Sequence, residues 1–84
     1  MKITFDNNNT MTFENGKDEK VFAMLGTVMG DGENYSTLIT EDELEGFDYD
    51  PNEWDRDVRT LEIGETATHS YWFYNKANII VRLA

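Results

Sequence analysis

The sequence predicts an α+β fold: an antiparallel sheet of about five or six strands with one main helix over about 18–29 and one short helix over about 41–46. Three observations carry that expectation. Polar and apolar residues alternate with a spacing of two near both ends, a helical spacing appears once between them, and a capping-box pattern lies at the centre. A chain of 84 residues makes one domain, 1–84.

Taken in order, Lys2 to Phe5 and Thr10 to Phe13 alternate around the turn-forming run Asp6-Asn7-Asn8-Asn9, which predicts a hairpin with Ile3, Phe5, Met11 and Phe13 on one face. After Asn15-Gly16, the residues Val21, Met24, Leu25 and Val28 stand at i, i+3, i+4 and i+7, the period of one helical face. Asp18 and Glu19 would complement the dipole of that helix, and Gly30 would stop it. Gly26 inside it marks either close contact with the sheet or an early end. Beyond the turn Gly30-Asp31-Gly32, Tyr35 to Ile39 reads as a short strand.

Thr40-Glu41-Asp42-Glu43 then has capping-box spacing, which predicts a helix of one or two turns ending at Gly46. Phe47 to Asp57, with the single proline Pro51, reads as an ordered loop held by Phe47, Tyr49 and Trp54. Val58 to Ile63 resumes strand alternation. Thr66 to Tyr74 and Asn78 to Leu83 flank the polar Asn75-Lys76-Ala77-Asn78 and form the clearest hairpin signal. Pairing Tyr74 with Ile79 would set Trp72 opposite Val81 and Tyr71 opposite Arg82 as a cation–π pair. Apolar residues on both faces of this hairpin imply that the second sheet face is partly covered, or is the surface of a homodimer.

Charge is the most informative feature. The chain has 17 Asp and Glu against 7 Lys and Arg, a net of −10. Direct nucleic-acid binding is disfavoured, because phosphates would be repelled and no basic patch offsets them. Anionic membranes are disfavoured for the same reason, and no run is apolar enough for a membrane span or a signal peptide. Cysteine is absent, so packing alone must hold the fold, which fits a reducing cytoplasm. Eleven aromatics set the chain apart from an acidic disordered tail.

The excess is local. Glu41, Asp42, Glu43, Glu45, Asp48, Asp50, Glu53, Asp55 and Asp57 fall within 17 residues that contain only Arg56 as a counter-charge, a local −8.

Catalysis finds little support. His69 is the only imidazole, and its neighbour Ser70 would face the other side of a strand, so no triad can form. Phosphate-binding glycine motifs are absent, and a carboxylate pair drawn from nine candidates has no specificity. No enzyme, cofactor or resident metal is expected. Asp48-Tyr49-Asp50-Pro51-Asn52 imitates the opening of a calcium loop, but Glu53 stands where glycine is needed and Arg59 where a bidentate Glu belongs. An acidic module that binds divalent cations is thus one alternative. Another is a protein-interaction module, such as an assembly or immunity protein, using an aromatic sheet face of Tyr71, Phe73 and Ile80.

The favoured reading makes the acidic segment a recognition surface. One DNA strand carries a charge about every 3.4 Å of rise, and carboxylates at nearly every second position can imitate that density. The ordinary role of such a run is to keep a small protein soluble. Here the missing counter-charges and the interleaved aromatics favour recognition, with Tyr49 or Trp54 as a local anchor. In length, charge, lack of cysteine and the acidic segment from Thr40 to Asp57, the chain resembles the small acidic inhibitors encoded by bacteriophages: uracil-DNA glycosylase inhibitors, anti-CRISPR proteins and DNA-mimicking anti-restriction proteins. That resemblance has no alignable motif. It implies a non-enzymatic inhibitor in the host cytoplasm whose partner is the basic groove of a nucleic-acid-binding protein or nuclease. On this reading, replacing Asp48, Asp50, Asp55 and Asp57 with Asn should weaken binding to a basic partner and leave folding intact or improve it.

Overall fold

The computed structural model describes residues 2–6, 10–14, 19–27, 32 and 34–84. Strands β1 (Lys2–Asp6) and β2 (Thr10–Glu14) make the antiparallel pair expected of the first hairpin, and its register sets Ile3 against Phe13 and Phe5 against Met11. A second sheet holds β3 (Val21–Thr27), β4 (Asn34–Thr40), β5 (Thr66–Phe73) and β6 (Ala77–Arg82), antiparallel throughout in the order β4-β3-β6-β5. Between β4 and β5 run three 3-10 turns, η1 (Glu41–Phe47), η2 (Pro51–Glu53) and η3 (Val58–Thr60). The architecture is α+β-like, with a four-stranded sheet and turns in place of a main helix.

The expected helix over 18–29 is corrected: residues 21–27 are β3, a central strand hydrogen-bonded on both sides. Val21, Phe22, Ala23 and Met24 are all fully buried. A strand covered on both faces reads as a continuous apolar run, and such a run contains helical spacing by accident. The segments around Asn7, Asn15-Gly16 and Val28 to Asp31, to which turns and the helix end were ascribed, lie outside the described residues. The single sheet of five or six strands is likewise replaced by a pair and a four-stranded sheet.

One face of that larger sheet carries Phe22, Met24, Ile39, Ala67 and Ile80 into the core. The three turns close over it with Leu44, Trp54, Val58 and Leu61. Val21 and Ala23 project from the opposite face and are also sealed from solvent, so that face is covered at its centre; β2 lies in contact with β4. The expected strand over 58–63 is instead η3 followed by an extended link, because the Asp57 carboxylate caps the amide of Arg59 and starts a turn.

The last hairpin exists with a different register. Its turn is Tyr74-Asn75, at φ 54° and 61°, closed by Lys76 N donating to Phe73 O at 3.1 Å. Phe73 pairs with Ala77, Thr68 with Ile79 and Thr66 with Val81, with a register shift between Thr68 and Phe73. Two consecutive residues in the left-handed region define a tight turn of the hairpin-favouring hand, which consumes fewer residues than the polar run suggested. Tyr71 therefore stands 81% exposed in the bulge and does not meet Arg82. Arg82 pairs with Phe22 and donates from Nη1 to Leu61 O at 2.8 Å and from Nε to Ala84 O at 3.0 Å. Gly26 does mark a close approach: a Cβ there would collide with the Lys76 carbonyl oxygen and lie 2.9 Å from Ala77 Cα.

Candidate interaction surface

The three turns that carry the acidic segment form where they do because carboxylates accept backbone amides at their starts. Thr40 and Glu43 make the expected capping box, with Glu43 Oε1 accepting from the Thr40 amide at 2.9 Å and its hydroxyl at 3.1 Å. Asp50 Oδ1 accepts from Asn52 N at 3.0 Å to start η2. Asp57 Oδ1 accepts from Arg59 N at 3.1 Å to start η3.

Two further acids tie the segment to the sheet. Asp55 meets Thr68 twice, its amide donating to Thr68 O at 3.0 Å and its Oδ1 accepting from Thr68 N at 2.8 Å. Glu53 Oε2 lies 2.9 Å from Nε2 of His69, whose side chain is almost wholly buried. On the other side of the ring, Nδ1 lies 2.7 Å from Tyr71 O and 2.9 Å from Tyr71 N. Glu41 sits 3.6 Å from the Lys20 ammonium.

Asp57 is the most constrained of the nine. The Arg59 guanidinium holds it by two bonds, Nε to Oδ1 at 3.1 Å and Nη2 to Oδ2 at 2.9 Å, and the Tyr49 hydroxyl donates to Oδ1 at 2.9 Å. The Arg59 side chain first, then the Arg59 amide and the Tyr49 hydroxyl, pull the carboxyl down to about 2 despite partial burial. Burial pushes the Tyr49 phenol up to about 12, reinforced by the negative charge of Asp57.

Tyr49 and Trp54 thus face inward. Trp54 is buried against Phe73 and His69, with ring centroids 5.4 and 4.9 Å away. Tyr49 is half-buried, packs on Trp54 and Phe73, and has its hydroxyl taken up by Asp57 and Val58. Both hold the loop, as Phe47 also does from the rim of the core.

Asp42, Glu45 and Asp48 remain: all three are exposed, and their carboxylates make no hydrogen bond or ion pair among the described residues. Asp42 and Glu45 lie in η1, where a 3-10 helix has three residues per turn and stacks i over i+3, about 6 Å apart. Asp48 follows three residues after Glu45 as the left-handed cap of η1. Beside this stripe, Glu41, Asp42 and Glu45 line one side of a groove of about 360 Å³ that also contains Tyr49 and Arg59. Arg56, the segment's own cation, turns away and pairs with Glu65 at 3.2 Å.

These positions correct two expectations. Asp57→Asn would lose the guanidinium fork, so the fourfold Asp-to-Asn change would disturb the fold as well as the charge. The aromatic interaction face does not exist as drawn, because Phe73 and Ile80 are core residues and only Tyr71 is exposed. Among the described residues no three His, Cys, Asp or Glu side chains gather as a metal site. Nor is any described helix long and apolar enough to cross a membrane. Sequence reasoning passed over Thr68 and His69 as partners of the acids because those pairings depend on the folded sheet, and passed over Arg59 although it stands only two positions beyond Asp57.

Compared with protein families, curated proteins and solved structures, the chain matches none.

Proposed function

We propose that this protein is a non-enzymatic inhibitor that occupies the basic groove of a nucleic-acid-binding protein with an acidic surface that imitates DNA, as in phage counter-defence of the anti-CRISPR or anti-restriction kind. The stripe of Asp42, Glu45 and Asp48 carries this reading, since those three carboxylates are exposed and serve no internal bond among the described residues. The spacing of Asp42 and Glu45, about 6 Å along η1, gives roughly half the linear charge density of a DNA strand. Glu43, Glu53 and Asp55 of the same segment are exposed as well and add to its negative charge.

Rigidity supports the same reading. Capping bonds and the Asp55–Thr68 pair fix the segment's backbone, so the charges are presented in place without ordering a flexible tail on binding. Long-range attraction between the −10 chain and a basic groove makes association fast and salt-sensitive.

The test is affinity capture from bacterial lysate with the tagged chain and with its Asp42→Asn/Glu45→Gln/Asp48→Asn variant, at about 0.1 M and about 0.5 M salt. The expected result is a nucleic-acid-binding protein held by the parent chain, released by DNA or by the higher salt, and lost in the variant. Equal capture by the variant would overturn the proposal.

A further inference from the structure

A second concavity, of about 230 Å³, lies between the end of η1 and the β5–β6 turn. Its walls are aromatic, from Phe47, Trp72, Phe73 and Tyr74, its carboxylates are Asp48 and Glu53, and the His69 ring that Glu53 holds lines it as well. Phe47 and Tyr74 meet edge to face, 4.8 Å between centroids at 86°. Aromatic faces attract cations through their quadrupole, and carboxylates beside them add direct Coulomb attraction. Such a volume suits a single side chain better than the drug-sized ligands of about 300–1,000 Å³ pockets.

We propose that this pocket receives an arginine side chain of the protein partner. The inference deepens the function proposed above and rests on its basic partner. Arginine fits better than lysine because a planar guanidinium can stack on a ring while its edge donates two parallel bonds to one carboxylate. Asp48 has no partner of its own among the described residues, and Glu53 remains 56% exposed while holding His69.

Five cations with described side chains are engaged elsewhere. Lys76 lies over Tyr35 at 5.5 Å, Arg59 forks onto Asp57, Arg56 pairs with Glu65, Lys20 with Glu41, and Arg82 donates to carbonyls.

Backbone geometry points to the same place. The described non-glycine residues with positive φ are Asp48, Tyr74 and Asn75, and two of them, Asp48 at 55° and Tyr74 at 54°, line this pocket. Asp tolerates that region, but a bulky tyrosine is an outlier there, where hairpin turns ordinarily place Asn or Gly. Strain of this kind gathers at ligand-binding positions.

The test compares two synthetic peptides, one with four arginines and one with four lysines in the same glycine-serine frame, titrated into the full chain by calorimetry. The arginine peptide is expected to bind about tenfold tighter. Asp48→Asn and Tyr74→Asn should each bring it close to the lysine peptide, and the second variant preserves folding because Asn accepts positive φ. Equal affinities in the parent chain, or a preference for arginine retained in both variants, would overturn the proposal. An Asp42→Asn/Glu45→Gln variant should weaken both peptides alike. Equal peptide affinities that fall together in that variant would therefore reject the pocket and leave the acidic stripe standing.

Discussion

The Tyr49 hydroxyl donates to Asp57 Oδ1 at 2.9 Å while its oxygen accepts the Val58 amide at 2.8 Å, so one phenol joins the residue after the cap of η1 to the start of η3. Both members of the pair titrate away from their ordinary values, in opposite directions and at opposite ends of the pH scale.

Stability should respond at each end. The Asp57 carboxyl is held at about 2 against an ordinary 3.8, so the folded state favours its charged form. Its contribution is complete above about pH 4 and is lost as pH falls through about 2. Tyr49 stands at about 12 against 10.0, so the folded state favours the neutral phenol, and that contribution is lost as pH rises from 10 through about 12. Denaturant melts across pH should show the alkaline loss in the parent chain and a flattened one in Tyr49→Phe. Asp57→Asn should flatten the acid loss.

Gly26→Ala should be among the most damaging single changes. The added Cβ meets backbone atoms of Lys76 and Ala77, which cannot swing aside as a side chain would. A loss of about 3 kcal/mol is expected in urea or thermal melts. Gly46→Ala, where nothing lies within 4 Å of the added carbon and φ is not positive, should cost far less.

The nine carboxylates should separate into two classes by stability. Asp42→Asn, Glu45→Gln and Asp48→Asn remove repulsion and no bond among the described residues, so each is expected to leave stability unchanged or raise it by up to about 0.5 kcal/mol. Asp55→Ala takes the acceptor from the Thr68 amide and should cost about 1–2 kcal/mol. Thermal melts of the four variants side by side would check the division.

Salt should act oppositely on fold and binding. Screening relieves repulsion within the acidic segment, so the midpoint of thermal unfolding should rise with sodium chloride, while affinity for a basic partner falls over the same range.

The parts of this molecule legible in its sequence are those whose cause is local. The Thr40–Glu43 box and the start of η1 follow from four adjacent residues, and the first hairpin's register follows from alternation around a polar turn. Val21-Phe22-Ala23-Met24-Leu25 misled because its burial on two faces is supplied by partners distant in sequence. The last hairpin slipped because a tyrosine occupies a turn position where Asn or Gly would have signalled it. For the acidic segment, the chain made the charge visible but concealed its division. Asp50 and Asp57 act as caps through residues two positions on, a relation readable in retrospect. Asp55 and Glu53 act through Thr68 and His69, which only the folded sheet brings near.

The pairing of Asp55 with Thr68, beside the bridge between Trp54 and His69, occupies the outer margin of β5. An open margin of that kind is a template on which a second chain can add its own strand and begin a fibril. Here a carboxylate stands in for the incoming carbonyl, and the charge around it repels any identical chain that approaches. The acids that make the surface attractive to a basic groove thus also guard the protein against its own copies, so variants that neutralise Asp55 and its neighbours should form aggregates at concentrations the parent chain tolerates.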